Sequence, residues 1–307
     1  MLDGVLFFPV TPFTPEDSVD LPILSEHVRR GVEAGAGGVF VACGTGEFHA
    51  LDPQEYAEAV RTAVAATGGR VPVFAGAGGS LPLARTFARA AAEAGADGLL
   101  LMPPYLVQAP PAGLVAYVRQ VTEATGLPVI VYQRGNARFD VASALEVARL
   151  PRVVGFKDGL GDLDQLSRIV TAVRADAVAG AKGFRFFNGM PTAESTVPAY
   201  RGIGIDLYSS AVFCFAPEIS LAFHRAVTTG DDETVQQLLA SFFHPLIALR
   251  QRTPGYAVSL VKAAVRLGGL EVGGVRPPLT DPTPDDLAEL ARIVEAGRAL
   301  AAAGAAR

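Results

Sequence analysis

The chain has 307 residues and a net charge of -5; 50% of its residues are hydrophobic and 19% are charged. That balance supports a large packed core and excludes a disordered chain, while an acidic total with no Lys/Arg stripe excludes the usual footprint of a nucleic-acid or membrane-surface binder. No run of about 18 apolar residues offers a membrane span and Met1-Leu2-Asp3-Gly4 is not a basic secretory start, so a cytoplasmic protein is expected.

Apolar strands and amphipathic helices alternate from the start. Strands buried on both faces are predicted over 5–10, 38–42, 71–75, 98–102, 129–132, 153–156, 177–179 and 203–207. Helices are predicted between them over 21–34, 53–66, 81–94, 112–124, 141–148, 163–173 and 192–200, several opened by Asp, Pro or Ser and closed by Gly. Eight strands alternating with helices predict an α/β fold, a closed (β/α)8 barrel. A repeat supports it: Val32-Glu33-Ala34-Gly35-Ala36-Gly37-Gly38-Val39 returns as Ala92-Glu93-Ala94-Gly95-Ala96-Asp97-Gly98-Leu99, each a helix end turning through glycine into a strand. A doubly wound open sheet is the alternative; against it, the glycine-rich segment 76–80 lacks the full dinucleotide-loop spacing and the acidic residue expected beyond the next strand, and reads as an ordinary turn. Beyond Ala211 only helices are predicted, over 212–228, 232–250, 256–267 and 284–303, giving a barrel over 1–228 and a C-terminal helical extension over 229–307.

In such a barrel, chemistry sits where strands end. The sixth strand runs into Gly155-Phe156-Lys157-Asp158, and Lys157 is one of only three lysines, with Lys182 and Lys262. Arginine fills nearly every other basic position, so a primary amine is wanted here; a desolvated lysine attacks carbonyls to form a Schiff base, whereas guanidinium does not. A structural lysine paired with Asp158 or Asp162 fits the same stretch. Strand alternation puts Val153, Gly155 and Lys157 on one face, with Gly155 leaving room beside the amine.

Other strand ends are polar. Cys43-Gly44-Thr45-Gly46-Glu47 is either a turn or a nest of N–H groups for a carboxylate. Tyr132, before Gln133 and Arg134, is either a proton relay or a core tyrosine. Asn188, Ser209 and Ser210 offer small polar groups to an acid substrate. Cys43 and Cys214 lack metal-ligand spacing and read as core residues, and His27, His49, His224 and His244 form neither a metal site nor a triad; most are expected on helix surfaces, with His49 near the mouth.

Together, Gly44-Thr45-Gly46-Glu47, Pro103-Pro104-Tyr105, Tyr132 and Gly155-Phe156-Lys157-Asp158 resemble, in that order, the class I aldolase family containing dihydrodipicolinate synthase and N-acetylneuraminate lyase. The resemblance runs from Gly4 into the helical tail. It implies that Lys157 is the Schiff-base lysine, Tyr132 the proton relay, and Gly44 with Thr45 the loop holding the carboxylate of a 2-oxo acid. It also implies no metal or organic cofactor, a small sugar-acid substrate, and a homodimer or homotetramer.

The departures point to a branch. One Thr of the usual Thr pair is missing before Gly46, the tyrosine expected after Tyr105 is Leu106, and the arginine expected five residues after Tyr132 is Ala137. Residues 44–48, 103–106, 188–194 and 208–213 look instead like the 5-dehydro-4-deoxyglucarate dehydratase branch, with Cys43 and Gln133 departing from its glycine and asparagine. A decarboxylating dehydratase is therefore expected, with Arg134, Asn188, Ser209 and Ser210 as candidates for the distal end of the substrate. A pyruvate aldolase and a non-catalytic 2-oxo-acid sensor are the rival readings.

Overall fold

The computed structural model describes residues 2–104 and 107–305; the Tyr105–Leu106 pair, which the resemblance uses, lies outside the described residues. Eight parallel strands close in sequence order: β1 (Leu6–Phe7), β2 (Gly38–Val41), β3 (Val73–Ala77), β4 (Gly98–Leu101), β5 (Val129–Gln133), β6 (Val153–Asp158), β7 (Arg185–Asn188) and β8 (Leu207–Ser210), with β1 pairing back to β8. The crossover helices are α1 (Leu21–Glu33), α2 (Pro53–Thr67), α3 (Leu81–Glu93), α4 (Pro111–Glu123), α5 (Val141–Arg149), α6 (Leu163–Ala175), α7 (Val197–Gly202) and α8 (Pro217–Thr229). Then come α9 (Asp232–Leu238), a π turn over Leu239–Phe243, α10 (His244–Arg250), α11 (Tyr256–Leu267) and α12 (Pro284–Ala305), with α12 packing back on α8.

Local chemistry starts and stops these helices. Asp20, Asp52, Asp140 and Asp162 accept from backbone N–H groups at the starts of α1, α2, α5 and α6, satisfying donors that have no partner within the helix. The repeated junction behaves as expected, with Gly35 and Gly95 in the left-handed region at φ 101° and 87°.

Strand side chains divide between two shells. One set, including Phe8, Phe40, Phe74, Leu100, Ile130 and Phe187, fills the barrel interior, where Phe8, Phe40 and Phe74 stack at centroid separations of 4.6 and 5.1 Å. The alternate set packs outward under the helices. With the interior packed, the cavity that holds Lys157 opens above it at the mouth.

Two predicted strands are displaced. The 177–179 segment is not a strand: the Asp176 carboxylate accepts from the N–H groups of Val178 and Ala179 and winds the chain into a turn, so β7 forms at Arg185–Asn188. Residues 203–206 belong to the turn leaving α7, where Gly204 sits at φ 81° and its carbonyl accepts from Arg174 at 2.5 Å, so β8 begins at Leu207. Serines 209 and 210 are thus the end of a strand and point to opposite sides. His27, expected on a surface, is buried on α1 against Phe7, and burial pushes its imidazole down to about 3. Among the described residues no helix is long and apolar enough to cross a membrane.

Candidate active site

A single irregularity in pairing builds the centre of the site. Val129 pairs with Val153, but Ile130 pairs with Gly155, so a bulge at Val154 shifts β6 by one residue and brings Lys157 beside Tyr132 across the β5–β6 pair. Val153 consequently packs in the outer shell, while Gly155 faces Ile130 and Phe187 inside; the alternation that put Val153 on the same face as Lys157 is broken by the bulge. Lys157 is 6% exposed, with Nζ 4.1 Å from the Phe8 ring centroid and 4.7 Å from that of Tyr132.

Two glycines make that approach possible. A Cβ on Gly189 would lie 2.5 Å from Lys157 Cε, and one on Gly159 would lie 2.8 Å from Tyr132 Oη. Tyr132 Oη donates to the Gly189 carbonyl at 2.8 Å, which fixes the phenol next to the amine. No carboxylate forms an ion pair with Lys157 among the described residues. Desolvation, aided by the charge of Arg134, therefore brings the amine down to about 7, and neutral, nucleophilic amine is abundant near neutral pH. Desolvation also raises the Tyr132 phenol, so it stays a proton donor. Asp158, the candidate partner of a structural lysine, is used elsewhere: it accepts from Gln133 Nε2 at 2.5 Å, from the Tyr200 hydroxyl, and from the N–H of Gly161 at 3.1 Å.

The loop after β2 supplies the second wall. Ala42 and Glu47 both lie in the left-handed region, at φ 49° and 53°, a conformation that non-glycine residues adopt only when held. Three anchors hold it. Thr11 Oγ1 donates to the Gly46 carbonyl at 2.6 Å, and the fully buried Glu47 accepts from Lys262 Nζ at 2.8 Å and from the Arg276 N–H at 2.9 Å. Gly44 and Thr45 between them line the cavity above Lys157.

That cavity, about 380 Å³, brings together Lys157, Tyr132, Gly44, Thr45, Arg134 and Ser209. Asn188 and Ser210 are not brought to it. The Asn188 amide donates to Ala193 O and Thr196 Oγ1 and its oxygen accepts from the Met190 N–H, so it shapes the β7 loop from behind. Ser210 is fully buried, donating to Glu194 Oε1 at 2.5 Å and lying 2.9 Å from Ser220 Oγ, because strand alternation turns it away from the barrel axis while Ser209 faces in. Cys43 and Cys214 are buried, as expected, and burial pushes the Cys43 thiol up to about 12. His49 lines the mouth.

Residues that sequence reasoning did not single out come from the tail. Arg250 ends α10 and Tyr256 starts α11, and both line the cavity with Thr192 of the β7 loop. Nothing in the sequence around Arg250 distinguishes it from Arg252 two residues on, which faces away and pairs with Asp286 and Glu289. Among the described residues no group of three or more His, Cys, Asp or Glu is placed to hold a metal ion.

The dihydrodipicolinate synthetase family is matched by residues 1–297. A protein of Streptomyces avermitilis named probable 5-dehydro-4-deoxyglucarate dehydratase 1 is 58% identical over 297 residues, covering 97% of this chain and 94% of the relative. A probable 5-dehydro-4-deoxyglucarate dehydratase of Rhizobium rhizogenes is 44% identical over 96% of both chains. Among solved structures, dihydrodipicolinate synthase from Oceanobacillus iheyensis superposes with a TM-score of 0.87 at 26% identity, covering 96% of each chain.

Proposed function

Because this chain belongs to the dihydrodipicolinate synthetase family, we propose that it is a Schiff-base lyase that converts 5-dehydro-4-deoxy-D-glucarate to 2,5-dioxopentanoate, water and carbon dioxide. The observation that carries the reading is the desolvated, unpaired Lys157 lying beside Tyr132 at the floor of the cavity.

The chemistry runs outward from the amine. Lys157 Nζ adds to the 2-oxo carbon and water leaves, giving a protonated imine. That cation stabilises the electron pair left when the neighbouring methylene loses a proton, forming an enamine. The enamine expels hydroxide from the next carbon, and with a proton this departs as water. The resulting unsaturated iminium accepts, through its conjugation, the electron pair released when the distal carboxylate breaks away as carbon dioxide. A proton delivered to the carbon next to the nitrogen-bearing one turns the enamine that results back into an iminium, the enol at the far end tautomerises to the aldehyde, and hydrolysis of the iminium frees Lys157.

Tyr132, fixed against Gly189 O, is the group that passes protons to and from the carbinolamine and leaving hydroxide. Gly44 and Thr45 hold the carboxylate next to the imine, and Ser209 and Arg134 face the rest of the chain. Lys157 supplies the electron sink, so the reading needs no external cofactor. It divides the protein into a catalytic barrel over 1–228 and a helical extension over 229–307, and makes it a cytoplasmic enzyme. Self-association belongs to the reading too: Val107, 60% exposed, borders the apolar segment after β4, and a monomer in sedimentation at micromolar concentration would remove that element.

The test of the reaction is product release from the dehydroglucarate. Carbon dioxide supports the dehydratase, pyruvate would make the protein a lyase of the aldolase type, and neither would make it a binder.

A further inference from the structure

The cavity that holds Lys157 also carries two guanidinium groups. Arg134 and Arg250 both line it, no Asp or Glu does among the described residues, and neither guanidinium forms an ion pair. Burial first, and then the charge of Arg134, loosens Arg250's hold on its proton, with the buried Glu194 acting the other way. Two like charges converging on one partly dry volume are unfavourable unless an anion joins them.

Arg250 is also held in place. Its Nη1 donates to Thr192 Oγ1, and Thr192 is a β-branched residue in the left-handed region at φ 51°, strain that such a residue adopts only where its surroundings enforce it. Behind it, fully buried Glu194 accepts from Ser210 with one oxygen and leaves the other, Oε2, without a partner. The π turn before α10 adds a residue to the helix and so rotates α10 about its axis by roughly 100°. It thereby sets which face Arg250 occupies. The neighbouring wall from the tail is apolar, with Leu246, Leu260 and Val261.

We propose that Arg250, which lines the cavity with Arg134, is the seat of the substrate's second carboxylate, and that this arginine from the C-terminal helices makes the cavity select 2-oxo diacids over 2-oxo monoacids. The inference rests on the Schiff-base reading. It gives the helical extension a part in recognition: the barrel supplies the amine and the tail measures the far end of the substrate. Carbon dioxide, once formed, is neutral and has no further attraction to the two cations.

Two six-carbon probes separate the effects, 2-oxoadipate, with a second carboxylate, and 2-oxohexanoate, without it. Borohydride trapping on Lys157 is followed against the concentration of each. Wild type is expected to trap the diacid at a concentration at least roughly tenfold lower, the usual scale for a charged pair in a partly buried site, and Arg250→Gln to lose most of that ratio while Arg250→Lys restores part of it. With the dehydroglucarate, Arg250→Gln is expected to raise KM more than it lowers kcat. Equal trapping of the two probes by wild type overturns the proposal without reference to any variant, and so does an undiminished ratio in Arg250→Gln. If wild type traps neither acid on Lys157, the Schiff-base reading fails and takes this proposal with it.

Discussion

Replacing Lys157 by methionine is expected to abolish activity and make the protein more stable. The amine is 6% exposed, without an ion-pair partner, and held down to about 7 from its ordinary 10.5, desolvation being the main cause. Between those two values the unfolded chain binds a proton that the folded chain releases. Stability therefore rises with pH across that window, and the full penalty is felt below it. Near neutral pH the penalty is about 4 kcal/mol, reduced to about 2–4 kcal/mol by water entering from the cavity. Methionine keeps the length of the stem packed between Phe8, Tyr132 and Gly189 and never charges. For a chain of 307 residues the gain corresponds to a melting temperature higher by roughly 3–6 °C. Thermal unfolding of both proteins at about pH 6.5 and about pH 9.5 reads it, and the gap should narrow at the higher value as the wild type sheds its proton. A variant no more stable than wild type at the lower pH would refute the claim that Lys157 is an unpaired, desolvated amine.

The rate of imine formation with pyruvate should climb with pH and level off above about 7, where the folded amine is neutral, whereas an unperturbed lysine would keep climbing toward about 10. Tyr132→Phe should leave the fold intact and lower turnover by about 10²–10⁴, and a loss under about tenfold would return Tyr132 to a packing role. Glu47→Ala strands the buried Lys262 amine and should cost about 3–5 kcal/mol in chemical unfolding; a cost under about 1 kcal/mol would mean that the pair does not anchor the loop after β2.

Much of the architecture is legible because buried parallel strands and amphipathic helices carry different periods, and the glycine junctions at Gly35 and Gly95 mark where one becomes the other. The two displaced strands show where that signal fails. Short apolar runs such as 177–179 are compatible with a strand, and only the Asp176 carboxylate capturing the N–H groups of Val178 and Ala179 decides for a turn. The bulge at Val154 is invisible for the same reason: an inserted residue leaves hydrophobicity unchanged but reverses which side chains face in.

Lysine scarcity points to Lys157 but is only partly specific. All three lysines use a compact amine, but for different ends. Lys182 Nζ donates to the Ala148 and Leu150 carbonyls at the end of α5, and Lys262 sits fully buried on Glu47, over the Phe13 ring. Scarcity therefore marks positions where arginine does not fit, and only the missing partner separates Lys157, the proposed nucleophile, from the other two. The distal-end residues are the least legible: Asn188 and Ser210 carry the right chemistry but spend it on the β7 loop and on Glu194, while Arg250 enters from a helix far along the chain.

Every step of the proposed reaction depends on Lys157 forming a covalent imine with a 2-oxo acid. Borohydride reduction during turnover of the dehydroglucarate, with peptide mass spectrometry of the product, tests it directly. A reduced adduct on the peptide carrying Lys157, absent from those carrying Lys182 and Lys262, is the expected result. Turnover with Lys157 left unmodified would contradict it.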